Sequence, residues 1–122
     1  MLNDITQSLP RLIADHVAAH NRHDPDALMA TFAPDALLND AKREFSGREA
    51  IRAWADKEIF GDNVTLAVAR AYENYGDIVL RCRVNGDFDK SKLPDPVILT
   101  YYFSIRNDRI TQLIIIRNSA VA

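Results

Sequence analysis

Leu9, Leu12, Ile13, His16, Val17 and His20 recur at helical spacing and draw one stripe along the opening of the chain. This predicts a first helix ending near Arg22, capped by Ser8 or Asp4, with Pro10 tolerated in its first turn. Asp24-Pro25 reads as an N-cap followed by a first-turn proline, and Leu28, Met29 and Phe32 give a second helix its apolar face. Pro34 should stop that helix, because a residue before proline avoids the α region. Ala36 to Asn39 is a short strand candidate, followed by a turn around Asp40 to Lys42. Ser46 and Glu49 have capping-box spacing and open a third helix, buried through Ile51, Trp54 and Ala55.

From Asn63 the period changes to two. Val64, Leu66 and Val68 alternate with smaller residues, and Ile78, Leu80, Cys82 and Val84 alternate with Val79, Arg81 and Arg83. Tyr75-Gly76-Asp77 joins these two strands. Pro96 opens a third strand, Val97 to Ile105, and Asn107-Asp108 turns into a last one, Ile110 to Asn118. Asp87 to Asp95 reads as a loop at a sheet end. Helices segregated from a run of strands indicate an α+β fold of order α-α-β-α-β-β-β-β: a curved antiparallel sheet with three helices packed on it, enclosing one pocket. The late strands are apolar on both faces, with Leu99, Tyr101 and Phe103 on one side and Ile98, Tyr102 and Ser104 on the other. One face covers the helices. The other needs a cover, and a second copy of the chain, a homodimer through the sheet, is the simplest.

The length of 122 residues fits a single domain, 1–122, and 48% apolar composition suffices for its core. A net charge of -2 with scattered basic residues argues against nucleic-acid and membrane-surface partners. Leu113 to Ile116, the longest late apolar stretch, is too short to span a bilayer. Met1 to Ser8 has no basic region or long apolar run, so a secretory signal is not expected. One cysteine, Cys82, is consistent with a cytoplasmic protein and excludes an internal disulfide.

His16 and His20 fall on the apolar stripe where leucine would be expected. An imidazole there is either a hydrogen-bonded core residue or a group pointing into a cavity. Their spacing also suits two metal ligands, but no third ligand accompanies them, so no metal is expected; His23 reads as a turn or capping residue. Asp40 is either a turn residue or a carboxylate at the mouth of an apolar pocket, where it suits a general base. Arg117 either reaches solvent from a strand end or faces inward, toward a substrate anion or Asp40. Thr100, Tyr102, Trp54 and Phe32 line a pocket or fill the core. Arg81 and Arg83 share a strand face, and Cys82 on the alternate face should be buried and inert. No Gly-rich phosphate loop, Cys-x-x-Cys or Gly-x-Ser-x-Gly occurs, so nucleotide hydrolysis and serine-hydrolase chemistry lack support and no cofactor is expected.

Residues 20–36, HNRHDPDALMATFAPDA, resemble the junction of the first two helices in the nuclear-transport-factor-2-like superfamily. FSGREAI at 45–51 and IRNDRIT at 105–111 resemble its later landmarks. Within it the chain looks like the SnoaL-like polyketide cyclase and ketosteroid isomerase branch. The resemblance implies a cone-shaped, cystatin-like sheet with the helices on its concave face. It also implies Asp40 in the position of the isomerase base. The isomerases' first-helix tyrosine falls on His16, their oxyanion aspartate on Thr100 and a late pocket aromatic on Arg117. The implied activity is an isomerase or cyclase acting on a small apolar carbonyl compound. Asp40 would be the base, His16 a neutral donor and Arg117 the charge-orienting group, with Thr100, Tyr102, Trp54, His20 and Phe32 around the substrate. The alternatives are a non-catalytic hydrophobic-ligand or dimeric interaction domain, and a dehydratase-like or epoxide-hydrolase-like enzyme.

Overall fold

The computed structural model describes residues 2–117. Its elements are β1 (Asn3–Asp4), α1 (Arg11–Asn21), α2 (Pro25–Ala30), β2 (Phe32–Asp40), β3 (Arg43–Ser46) and α3 (Arg48–Ala55), which runs on into a π-helical turn at Asp56–Phe60. Four long strands follow: β4 (Thr65–Asn74), β5 (Asp77–Asn85), β6 (Ile98–Arg106) and β7 (Arg109–Arg117). They form one curved seven-stranded sheet in the order β1-β4-β5-β6-β7-β2-β3. Every neighbouring pair is antiparallel except β2 and β7, which run parallel. The three helices lie on one face, with α1 against β4 and α3 against β2. The α+β class and the four-strand meander are as the periodicity predicts.

Several local expectations are corrected. Pro10 occupies the N-cap position of α1 without a side-chain cap. Asp4 instead accepts from the Thr6 N–H at 2.9 Å and its hydroxyl at 2.6 Å, while β1 pairs with β4. The α2 cap is as expected: Asp24 Oδ1 accepts from the Ala27 N–H at 3.1 Å, with Pro25 in the first turn. However, α2 ends before Pro34, and β2 begins at Phe32 rather than Ala36. Pro34 sits within β2 where the ladder to β7 shifts register, between Phe32 and Leu37, a place that needs no proline N–H. Ala41 and Lys42, with φ of 53° and 67°, close a two-residue hairpin that creates β3, a strand the pattern missed. Ser46 does not cap α3. Gly47 takes that place at φ 85° and ψ 159°, without a side-chain cap bond. The predicted end of the last strand, Asn118, lies outside the described residues.

Strand pairing sorts the concave face into rows, because directly paired residues point the same way. One row runs Ile78, Phe103, Leu113, Leu38 and Phe45. The next runs Leu80, Tyr101, Ile115, Asp40 and Arg43, and beyond it come Cys82, Leu99 and Arg117. Ile13, Leu28 and Ile51 of the helices and Phe103 and Leu113 of the sheet are fully buried. The first row therefore lies in the core, and the later rows open outward.

Candidate functional site

A cleft of about 770 Å³ opens at the outer rows, walled by Asp40, Trp54, Tyr101, Ile115, Arg117 and His20. Phe88 and Leu93, from the loop between β5 and β6, border it too.

Asp40 reaches this wall because β2 ends in the hairpin at its own position. Its Oδ2 accepts from Trp54 Nε1 at 3.0 Å, across from α3, and from Arg43 Nη2 at 3.0 Å. Its Oδ1 makes no hydrogen bond among the described residues, and the side chain is 22% exposed. Arg43 also binds Glu58 of the π-helical turn through two contacts of 2.7 and 2.8 Å, and Glu58 borders the cleft. One guanidinium thus joins two carboxylates at the mouth. Sequence reasoning named neither Arg43 nor Glu58, since the pairing depends on the hairpin and on the π turn.

Tyr101 is a third residue that sequence reasoning left out of the site. It lies in Asp40's row and is 4% exposed, and its hydroxyl makes no hydrogen bond among the described residues. Burial, then Cys82 and the charge of Asp40, push its phenol well above the usual tyrosine range, so it stays protonated. The signal was present in part: Tyr101 shares one strand face with Leu99 and Phe103, but the pattern does not say which face is the inner one.

Thr100 and Tyr102 fall on the opposite face, which corrects their assignment to the pocket. Together they line a separate groove of about 460 Å³ on the outside of the sheet, where Tyr102 is 42% exposed. Phe32 does not border the cleft either. It is fully buried and meets His16 edge-on at 5.5 Å.

The two helix histidines differ. His16 lies one row too deep: it packs edge-on against Phe103 at 5.2 Å, and its Nδ1 meets the Thr31 hydroxyl at 2.9 Å. Burial, helped by His20, lowers its pKa to about 3. It is a satisfied core residue, and it does not border the cleft with Asp40. His20, one turn on, does border it. Burial and then His23 lower its pKa to about 4. His23 itself takes up a positive φ at the helix junction, with Nε2 3.1 Å from the Val64 carbonyl. Cys82 is buried, its thiol pushed up to about 12 by desolvation.

Among the described residues, no group of three His, Cys, Asp or Glu side chains is placed to hold a metal ion. No described helix is long and apolar enough to cross a membrane. The site has one carboxylate oxygen anchored and one free, a protonated phenol, a neutral imidazole and a cationic Arg117 at the rim.

Comparisons with known proteins agree with the fold. The SnoaL-like domain matches residues 13–113. A candidate polyketide cyclase from Sinorhizobium meliloti is 31% identical with a TM-score of 0.82, over 91% of this chain and 98% of that one. A protein of ketosteroid isomerase-like fold from Catenulispora acidiphila, solved with trimethylamine, is 22% identical with a TM-score of 0.76, over 89% and 86%. A cystatin-fold protein from Novosphingobium aromaticivorans is 19% identical with a TM-score of 0.72, over 87% and 95%. No curated protein matches the sequence. The shared fold and the match across most of its length show that the chain belongs to the SnoaL-like domain family.

Proposed function

We propose that the cleft binds a small, mostly apolar carbonyl compound and moves a proton beside that carbonyl, as an isomerase or cyclase without a cofactor. Asp40 is the base. Trp54 and Arg43 hold its Oδ2, which leaves Oδ1 for the substrate proton. Tyr101, in the role expected of His16, donates to the oxygen on which negative charge develops. Arg117 at the rim orients the substrate or offsets charge. The observation that carries this reading is the placement of Asp40 and Tyr101 in one row of the cleft wall. The volume, about 770 Å³, falls in the range of small-molecule sites. The Sinorhizobium meliloti relative, named for polyketide cyclisation, favours a carbonyl substrate. The test is exchange of the protons beside the carbonyl of α-tetralone into heavy water, followed by proton NMR. Wild-type protein should accelerate it and Asp40→Asn should not. Equal rates would remove Asp40 from the mechanism.

We further place a second copy of the chain against the outer face that carries Tyr102, and the protein in the cytosol, which its single, buried Cys82 fits.

One observation favours a second reading. Asp40 and Glu58 share Arg43 and both border the cleft, so a water between them has two acid/base groups, as a dehydratase or epoxide hydrolase needs. Turnover of an aryl epoxide with uptake of labelled solvent oxygen, abolished in Glu58→Gln, selects this reading over proton transfer. Binding of α-tetralone without either reaction selects a non-catalytic ligand carrier.

A further inference from the structure

His20 is 3% exposed and borders the cleft, yet its Nδ1 is fully buried and has no hydrogen-bond partner among the described residues. His16, one turn earlier on the same helix face, shows the contrast, because its Nδ1 is taken by Thr31. Asn21 and His23 beside it hold backbone groups, and against the lowering effect of burial Asn21 also acts on the ring, raising its pKa. Asn21 exchanges both amide atoms with the backbone of Leu66, at 2.8 and 2.7 Å, and His23 meets the Val64 carbonyl. Buried polar groups are nearly always bonded, so an orphan ring nitrogen in a residue that borders a cleft marks a place for a ligand group. Ile59, Val64 and Val84 are among the apolar residues that line the same cleft, with Asp62 among the charged ones.

A neutral imidazole carries one donor and one acceptor, and a hydroxyl, which both donates and accepts, complements whichever ring nitrogen it meets. The geometry points to His20 as a specificity-determining anchor for a hydroxyl on the ligand. The substrate class is then an apolar hydroxy-ketone, its carbonyl held at Asp40 and Tyr101 and its hydroxyl at His20. Burial keeps the ring neutral, with a pKa lowered to about 4, so the anchor selects a neutral oxygen and not an anion. This inference rests on the carbonyl reading of the cleft and extends it.

The probes are α-tetralone and its isomers hydroxylated on the aromatic ring. Binding is followed through Trp54, the single tryptophan, which borders the cleft. At least one hydroxylated isomer should bind the wild-type protein about fivefold to tenfold tighter than α-tetralone itself. His20→Phe should erase that preference, and His20→Gln, which keeps a donor and an acceptor, should restore part of it. In nitrogen-labelled wild-type protein, the His20 ring nitrogens should shift with the preferred isomer and not with α-tetralone, a readout that does not depend on any variant folding. No preference among the isomers, or a preference unchanged in His20→Phe, overturns the His20 anchor while leaving the carbonyl cleft intact. If neither α-tetralone nor any isomer binds, the carbonyl reading falls and the anchor with it.

Discussion

Asp40 and Tyr101 stand on either side of Ile115 in one cross-strand row. Asp40 pairs with Ile115 across the parallel β2–β7 ladder, and Tyr101 pairs with it across the antiparallel β6–β7 ladder. Two strand spacings put their backbones about 10 Å apart, and direct pairing aims both side chains into the concave face. A small carbonyl compound lying over Ile115 would meet a proton acceptor on one side and a hydrogen-bond donor on the other.

Asp40→Asn should lower exchange beside the carbonyl of α-tetralone by about 10²–10⁴-fold, the usual worth of a positioned base. Tyr101→Phe should lower it by about 10²–10³-fold, the usual worth of an oxyanion donor. Because the Tyr101 hydroxyl has no partner among the described residues, its removal should leave the urea midpoint nearly unchanged. A Tyr101→Phe protein with full activity would falsify the donor role.

Arg43 links Asp40 to Glu58 from a half-exposed position, so solvent screens its charge. Arg43→Gln should therefore cost less than about 1 kcal/mol in urea unfolding. It should still lower exchange, since only Trp54 would then orient the Asp40 carboxylate. Loss of stability well beyond that figure, with activity retained, would show Arg43 to be a structural clamp instead.

His16 and His20 make stability depend on pH. Their folded pKa values lie near 3 and near 4, below the ordinary 6.5. An unfolded histidine takes a proton below about pH 6.5 while the folded one does not, so stability is full above that pH and falls as pH drops toward 4. Each group contributes up to about 1.4 kcal/mol per pH unit. Between pH 6.5 and 5 the two together should remove on the order of 3 kcal/mol, read from urea midpoints. His20→Phe should roughly halve that slope, whereas an unchanged slope would mean that His20 does not resist protonation in the fold.

At the start of α3, Gly47 adopts a conformation that only glycine reaches without strain. Gly47→Ala should cost about 1–3 kcal/mol on that account. Ser46→Ala, which removes no cap bond, should be close to neutral. Thermal melts of both variants check this pair, and the reverse order would restore the capping box that the sequence pattern suggests.

Local pattern was enough for much of the molecule. The helical stripe through Ile13 and His16, the Asp24-Pro25 cap, the tight turns expected at Tyr75-Gly76-Asp77 and Asn107-Asp108, and the period-two strands each depend on residues near one another in the chain. Asp40, Trp54, Arg117 and His20 were likewise legible as candidates, because a charged or polar group beside an apolar run marks an edge of the core.

Tertiary structure decided which of the candidates meet. In a strand the side chains alternate between faces, so a slip of one residue exchanges inside for outside. Alignment set Thr100 in the position of the isomerases' oxyanion aspartate, and pairing with Ile115 puts its neighbour Tyr101, not Thr100, on the cleft face. On a helix, four residues advance the chain by about 6 Å, enough to take His16 into the core and His20 to the cleft on one stripe. Asp40 and Arg43 meet locally across the β2–β3 hairpin, but Glu58 joins them only through the π turn after α3, a contact between separate segments that no local pattern encodes.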